Sequence, residues 1–107
     1  MIYKFKSKAA GDVIMMGPSG DHVLRIVGKQ PAPTGIIEPD AMPAAIAAIE
    51  KAILEEEAMR KQAEADAAAE GKTLPPRESV TLRQRAWPLV DMLRRAHAAD
   101  QEIVWGV

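Results

Sequence analysis

The side chains that could support acid–base or metal chemistry are few and scattered through the 107 residues. The chain has no cysteine, which excludes disulfides, thiolate metal sites and a cysteine nucleophile. The remaining candidates are two histidines and four aspartates: His22, His97, Asp12, Asp21, Asp91 and Asp100. His97 and Asp100 are three residues apart and share a helix face if a helix continues that far. One such pair falls short of a ligand set, so we predict no metal site and no catalytic residue.

A phosphate-binding loop is the second chemistry to consider, at GPSGDH in residues 17–22. Glycines before a helix N-terminus can turn main-chain N–H groups towards an anion. The segment lacks the GxxxxGK[ST] spacing, and Asp21 places a negative charge where the anion would bind. The serines of the chain lie in no nucleophile-elbow motif. We therefore favour a non-catalytic protein without a cofactor over an enzyme.

The stretch TLRQRAWPLVDMLRRAHAADQEIVWGV, residues 81–107, could bind nucleic acid because it combines four arginines with tryptophan. On a helical wheel, leucines and an alanine form an apolar stripe, and the arginines lie on both sides of it. A helix that reads nucleic acid clusters its cations, and such domains usually have a pI above about 9. The pI of this chain is ≈ 6.1. Nucleic-acid binding through this helix is the alternative and not the favoured function.

One flank of this helix is a candidate contact for a protein partner. It consists of Arg83, Trp87, Asp91 and Arg94. Arg83 lies one turn before Trp87, where a guanidinium can stack on an exposed indole for about 0.5–1 kcal/mol. The acidic run at residues 55–57 is a natural neighbour for the arginines. We predict a partner patch at these four residues.

The same stretch has the signals of a helix followed by a strand. Thr81 and Gln84 form a capping box that starts a helix over about 81–98, with Val80 available for an apolar staple contact. Pro88 either kinks this helix or marks its true beginning, and the unbroken apolar stripe favours the kink. We predict a strand over residues from about 102 to 106 and expect it to pair with the first strand of the chain.

Two further strands are predicted near the N-terminus. Apolar and polar residues alternate over about 2–7, which predicts a half-buried strand with Tyr3 and Phe5 towards the core. The short apolar run at residues 13–16 predicts a second strand that folds back on the first.

A short helix and a loop follow these strands. A helix over about 20–28, capped by Ser19 and ended by Gly28, is favoured over a β-hairpin. Residues 30–39 contain three prolines and a glycine and predict a loop.

The longest predicted helix covers about 41–69, with Asp40 as its cap and Pro43 in its first turn. Its apolar stripe ends at Leu54. A helix of about 29 residues measures roughly 44 Å, whereas a domain of this size has a radius of gyration of about 13 Å. We therefore expect the acidic helix end and the proline-rich linker, residues 55–79, to project, to be mobile or to pack on another subunit.

Together these elements predict a single α+β domain over residues 1–107, with a small, mainly antiparallel sheet of two or three strands covered by helices. Hydrophobic residues make up 48% of the chain and aromatic residues 4%, so we expect an aliphatic core. The apolar run near the N-terminus is too short for a secretory signal or a membrane span. We expect a soluble, cytoplasmic protein that does not bind membranes.

Charge is unevenly distributed, although the net charge is only −1. Residues 38–71 carry nine acidic and three basic side chains, and basic residues outnumber acidic ones on either side. A solvated acidic helix beside basic neighbours explains this pattern. Electrostatic attraction between subunits is the alternative explanation. Because the sheet has exposed edges and the long helix has little to bury, we favour a homo-oligomer that acts through protein contact.

The chain resembles a small bacterial family catalogued as domain of unknown function eighteen-forty. The likeness runs through FKSKAAGDVIMMG, VLRIVGK, GIIEPDAMPAAIAAIE, SVTLRQRAWPLVDMLRRA and IVWGV, and is weak between about 54 and 76. The resemblance implies a bacterial protein but no catalytic residue, cofactor or substrate. The favoured function is thus a non-catalytic, self-associating interaction module with an unidentified protein partner. Nucleic-acid binding is the alternative, and a small-molecule or metal site is the second alternative.

Overall fold

The computed structural model describes residues 2–75 and 81–106. The elements follow in the order β1 (Ile2–Ser7), β2 (Ala10–Met16), α1 (Gly17–Ile26), β3 (Gly35–Ile37), a 3₁₀ turn (Pro39–Ala41), α2 (Met42–Ala69), α3 (Leu82–Ala98) and β4 (Ile103–Trp105). The strands form one antiparallel sheet in the order β2-β1-β4-β3. The predicted α+β class is confirmed, but the sheet has four strands where two or three were predicted.

β1 lies in the middle of the sheet and pairs on both sides. Phe5 is opposite Val13 of β2 and opposite Trp105 of β4. The predicted pairing of the last strand with the first is therefore confirmed. β2 is longer than the predicted run of 13–16, because pairing with β1 extends it back to Ala10, opposite Ser7.

β3 is the strand that the sequence analysis missed, since it lies inside the predicted loop of residues 30–39. Its three residues are too few to show a periodic pattern, and pairing with β4 makes them a strand. The Trp105 indole covers Gly35, where a Cβ atom would lie 2.0 Å from the ring. The indole Nε1 donates a hydrogen bond of 3.0 Å to the Ala32 carbonyl. A tryptophan on β4 thus fixes the chain before β3.

α1 is a helix, as favoured over a hairpin, but it begins earlier than predicted. Met16 is its N-cap residue, and no side chain caps it, so the predicted cap at Ser19 is wrong. Pro18 explains the early start, because its φ suits the first turn and no N–H is needed there. Gly28 follows the helix with a φ of 85°, which confirms the predicted end.

α2 is a helix of 28 residues, about 42 Å long. The predicted cap at Asp40 is wrong, because this residue lies in the preceding 3₁₀ turn and α2 begins without a side-chain cap. Pro43 lies in the first turn as predicted, and Gly71 ends the helix with a φ of 72°. Side chains beyond residue 57 are nearly all exposed up to the end of the helix. The mobility of residues 55–79 stays a prediction, and residues 76–79 lie outside the described part of the chain.

α3 runs without interruption through Pro88. The alternative that the helix begins at Pro88 is therefore wrong. The capping box between Thr81 and Gln84 is confirmed, whereas the staple residue Val80 lies outside the described residues. Pro88 cannot donate a hydrogen bond to the Gln84 carbonyl. Both residues are exposed, so water can bind this carbonyl in its place.

The core lies between the three helices and one face of the sheet. Tyr3 and Phe5 point into it as predicted, and less than 2% of each side chain is exposed. Gly20 of α1 contacts the Tyr3 ring so closely that a Cβ atom would lie 2.1 Å from it. Leu89 and the remaining stripe of α3 fill the middle, and burial of each leucine contributes about 1.5–3 kcal/mol.

We expect Leu89→Ala to lower the free energy of unfolding by about 2–5 kcal/mol, because it leaves a cavity in this core. Leu54→Ala makes the same chemical change on a helix where 61% of the side chain is exposed, and should cost no more than about 0.5 kcal/mol. Urea unfolding followed by circular dichroism compares the two variants. Equal losses would contradict the described core.

Candidate functional site

The outer face of the sheet, opposite the helices, carries a cluster of large apolar side chains. Alternation along β1 and β2 turns six side chains to this face: Ile2, Lys4, Lys6, Asp12, Ile14 and Met16. Ile2, Ile14 and Met16 are 61%, 63% and 64% exposed. Ile2 lies directly opposite Met16, and Lys4 directly opposite Ile14. We call Ile2, Ile14 and Met16 the outer cluster; no described element covers it.

β2 is also an edge of the sheet, and within residues 2–75 and 81–106 no strand pairs with its free side. Natural edge strands are commonly protected by lysine, proline, an isolated charge or a β-bulge. The register of β2 with β1 is irregular between Val13 and Ala10 and regular over residues 13–16, beside the outer cluster. β2 contains neither lysine nor proline. Its single charged residue, Asp12, forms an ion pair with Lys4 at 3.6 Å. The edge next to the outer cluster is thus poorly protected against another strand.

The opposite edge of the sheet, β3, is much shorter. It has three residues, and Pro39 follows it closely. Ile36 points to the outer face and is 40% exposed, opposite Val104. This edge offers less main chain and less apolar surface than β2 does.

The flank of α3 that faces α2 contains most of the predicted partner patch. Arg83 donates two hydrogen bonds of 2.9 Å, from Nε and Nη2, to the Glu57 carboxylate. Further along α3, Arg94 forms an ion pair with Glu50 of α2. Trp87 lies between the two arginines and is 45% exposed. The predicted proximity of the acidic helix to the arginines is confirmed.

Two details of the predicted patch differ from expectation. Arg94, and not Arg83, stacks on Trp87, with its guanidinium carbon 5.3 Å from the ring centroid. Arg83 is held by the carboxylate across the groove instead. Asp91 accepts a hydrogen bond of 2.9 Å from Nε of Arg95 on its own helix. The structure therefore brings together three of the four patch residues.

The paired charges of this flank reduce its attraction for anions. The Arg83 guanidinium, hydrogen-bonded to Glu57, holds the pKa of that carboxyl below its ordinary value. The same hydrogen bond raises the pKa of Arg83. A phosphate that bound Arg83 or Arg94 would have to displace a carboxylate already in place.

A cleft of about 180 Å³ lies between the two ion pairs. Ile53 and Leu54 of α2 and Trp87 of α3 give it apolar walls. Pockets for small molecules usually enclose about 300–1,000 Å³. This cleft has room for a side chain rather than for a whole ligand.

The residues considered for metal or acid–base chemistry do not form a ligand set. In the described part of the chain, no group of three or more His, Cys, Asp or Glu side chains could hold a metal ion. His97 lies in the last turn of α3, whereas Asp100 lies beyond its end with a φ of 55°. These two residues do not share a helix face. Asp21 accepts a hydrogen bond from the Tyr3 hydroxyl, which together with burial raises the pKa of Tyr3.

The sites predicted from the sequence include no residue of the outer cluster. The alternation over residues 2–7 places Ile2 on the face opposite Tyr3. The same alternation, continued into the second strand, would have placed Ile14 and Met16 on one face of it. The register between β1 and β2, which brings the three together, does not follow from either pattern alone.

The fold and these surfaces define a two-layer α+β domain with one sheet face open. The chain belongs to the family described as Domain of unknown function (DUF1840), whose sequence model matches residues 1–105. Neither a curated protein nor a solved structure matches the chain. The described residues include no helix with the length and apolar character needed to cross a membrane.

The ion pair between α2 and α3 should make stability depend on pH. The folded pKa of Glu57 is lowered, so its contribution is present above the ordinary value of 4.5 and is lost as the pH falls through the folded value. We expect Glu57→Gln to be less stable than the native chain at pH 7, with a difference that closes in acid. Urea unfolding at a series of pH values measures this difference.

Glu55→Gln is the matched control for that experiment. Glu55 pairs with Lys51 at 3.9 Å within α2 and, in the described part of the chain, has no ion pair with another element. Its replacement should change stability little at any pH. A Glu57→Gln deficit that persists unchanged in acid would show that the ion pair is not its cause.

Proposed function

We propose that this chain is a non-catalytic protein-interaction domain that associates with itself. The observation that supports this proposal is the outer cluster of Ile2, Ile14 and Met16, each more than 60% exposed beside a free sheet edge. Contiguous exposed apolar side chains commonly mark contact surfaces. Burial of one such side chain contributes about 1.5–3 kcal/mol, so the cluster is a substantial driving force.

A second copy of the chain is a suitable occupant for this surface. The net charge of −1 causes little long-range repulsion between copies. The two charges beside the outer cluster, Lys4 opposite Ile14 and Asp12 on β2, balance each other in an ion pair of 3.6 Å. A twofold contact places the same apolar patch on both sides, which suits a surface with this composition. We further propose a cytoplasmic location, with which a cysteine-free chain is compatible.

The alternative of nucleic-acid binding has weaker support. It depends on the arginines of α3, and Arg83 and Arg94 are both engaged by carboxylates. Lys4 and Lys6 on the outer face are accompanied by aliphatic side chains and not by the aromatic ones on which bases stack. We therefore propose protein contact in preference to nucleic-acid contact.

Light scattering after size-exclusion chromatography tests the proposal over a range of concentrations. The native chain should approach twice its mass of 11.6 kDa as its concentration rises. Ile14→Glu places a charge in the outer cluster and should weaken association at least about tenfold, given the burial lost in each copy. Circular dichroism checks that the variant is folded.

Ile36→Glu is the matched control, because it places the same charge on the same face at the opposite edge. It should leave the mass distribution unchanged. A native chain that stays monomeric at every concentration would contradict the proposal. An equal effect of both variants would show that the outer cluster is not the contact.

A further inference from the structure

We infer that two copies join through antiparallel pairing of β2 with the β2 strand of the second copy. This inference rests on the proposed self-association and specifies its geometry. The product is one continuous sheet of eight strands, four from each copy.

The main chain of β2 favours a strand as the partner. In an antiparallel edge strand, every second residue turns its N–H and C=O groups away from its neighbour. β2 has seven residues, of which residues 13–16 pair in regular register with β1, and β1 is its single paired neighbour in the described part of the chain. An extended strand satisfies these groups in a regular ladder, which a helix or a side chain cannot do. The three-residue edge at β3 offers a much shorter ladder.

The side chains of β2 favour β2 itself. An antiparallel strand pair can be related by a twofold axis, so one strand can serve both copies. With Ile14 at the axis, Ile14 of one copy lies opposite Ile14 of the other, and Asp12 lies opposite Met16. This register places Ile14 and Met16 of both copies beside one another on one face, whereas Ile2, on β1, lies one strand away from the contact. Directly opposed apolar pairs stabilise a sheet by about 0.2–1 kcal/mol beyond alanine pairs.

The charges near β2 allow the β2 strands of two copies to pair. Like charges that lie directly opposite each other destabilise a strand pair. In the proposed register, Asp12 of one copy is separated from Asp12 of the other by the Ile14 pair. Each of these carboxylates keeps its own Lys4 partner at 3.6 Å. Pairing therefore buries no unbalanced charge.

The contact is small. Interfaces below about 1,200 Å² belong mostly to weak or transient complexes. Pairing one strand of seven residues per copy should bury less than this area. We therefore expect a dissociation constant in the micromolar range and a dimer that exchanges with monomer.

Spin labels measure this geometry directly, because the chain has no cysteine to remove. Ile14→Cys and Ile36→Cys are exposed positions on one face of the sheet. Neighbouring strands lie about 4.8 Å apart, so the two copies of residue 14 should be one strand spacing apart across the axis. The two copies of residue 36 should be seven spacings apart, roughly 34 Å before sheet twist.

Pulsed electron resonance on the labelled Ile36→Cys dimer should give a distance near that value. The labelled Ile14→Cys chain should show strong short-range spin coupling that disappears on dilution. A bismaleimide should link Ile14→Cys chains to each other and leave Ile36→Cys chains unlinked. These results together support the strand pairing.

Other outcomes separate this inference from the proposed function. If scattering shows that the labelled Ile14→Cys chain is itself a dimer but residue 14 neither couples nor cross-links, the β2 pairing is wrong and self-association stands. If the two copies of residue 36 lie close together, the sheets pack face to face and the pairing is again wrong. If the native chain is monomeric at every concentration, both proposals fail.

Discussion

The pairing of β1 with both of its neighbours is the constraint on which the rest of the structure depends. Phe5 alone is opposite Val13 on one side and Trp105 on the other, so one residue joins the hairpin to the last strand. Its ring meets the Trp105 indole edge-on at 5.6 Å and stacks near Tyr3 at 6.0 Å. Because β1 occupies the middle, β2 is left at an edge. The open surface is thus a direct result of the strand order.

The second organising contact is the seam between α2 and α3, which combines a buried apolar stripe with ion pairs along its rim. The Leu82 N–H at the start of α3 donates to the Glu56 carboxylate at 3.3 Å, where the helix dipole favours an acid. Arg83 and Arg94 then hold α2 further along. The acidic side chains of α2 therefore contribute to the fold, since they help to hold α3 over the sheet. The arginines that suggested a nucleic-acid surface contribute to this seam.

Elements with strong local signals could be predicted from the sequence, and those made by tertiary contact could not. The capping box of Thr81 and Gln84 and the alternation around Tyr3 and Phe5 determine α3 and β1 locally, and both predictions were confirmed. β3 exists because β4 pairs with it, and three residues beside prolines show no pattern. For the partner patch, helical spacing placed Arg83, Trp87 and Arg94 on one flank. The rotamers that stack Arg94 on Trp87 depend on carboxylates of another helix.

The pairing of the first strand with the last also has a consequence during protein synthesis. β1 and β2 can form a hairpin early, but a lone hairpin is only marginally stable. The sheet cannot close until Trp105 has left the ribosome and returned to Phe5. Contacts between residues so distant in sequence slow folding, since the loop entropy is lost before they form. Until then the nascent chain exposes the core face of the hairpin, which carries Tyr3, Phe5 and Met15, all buried in the folded domain.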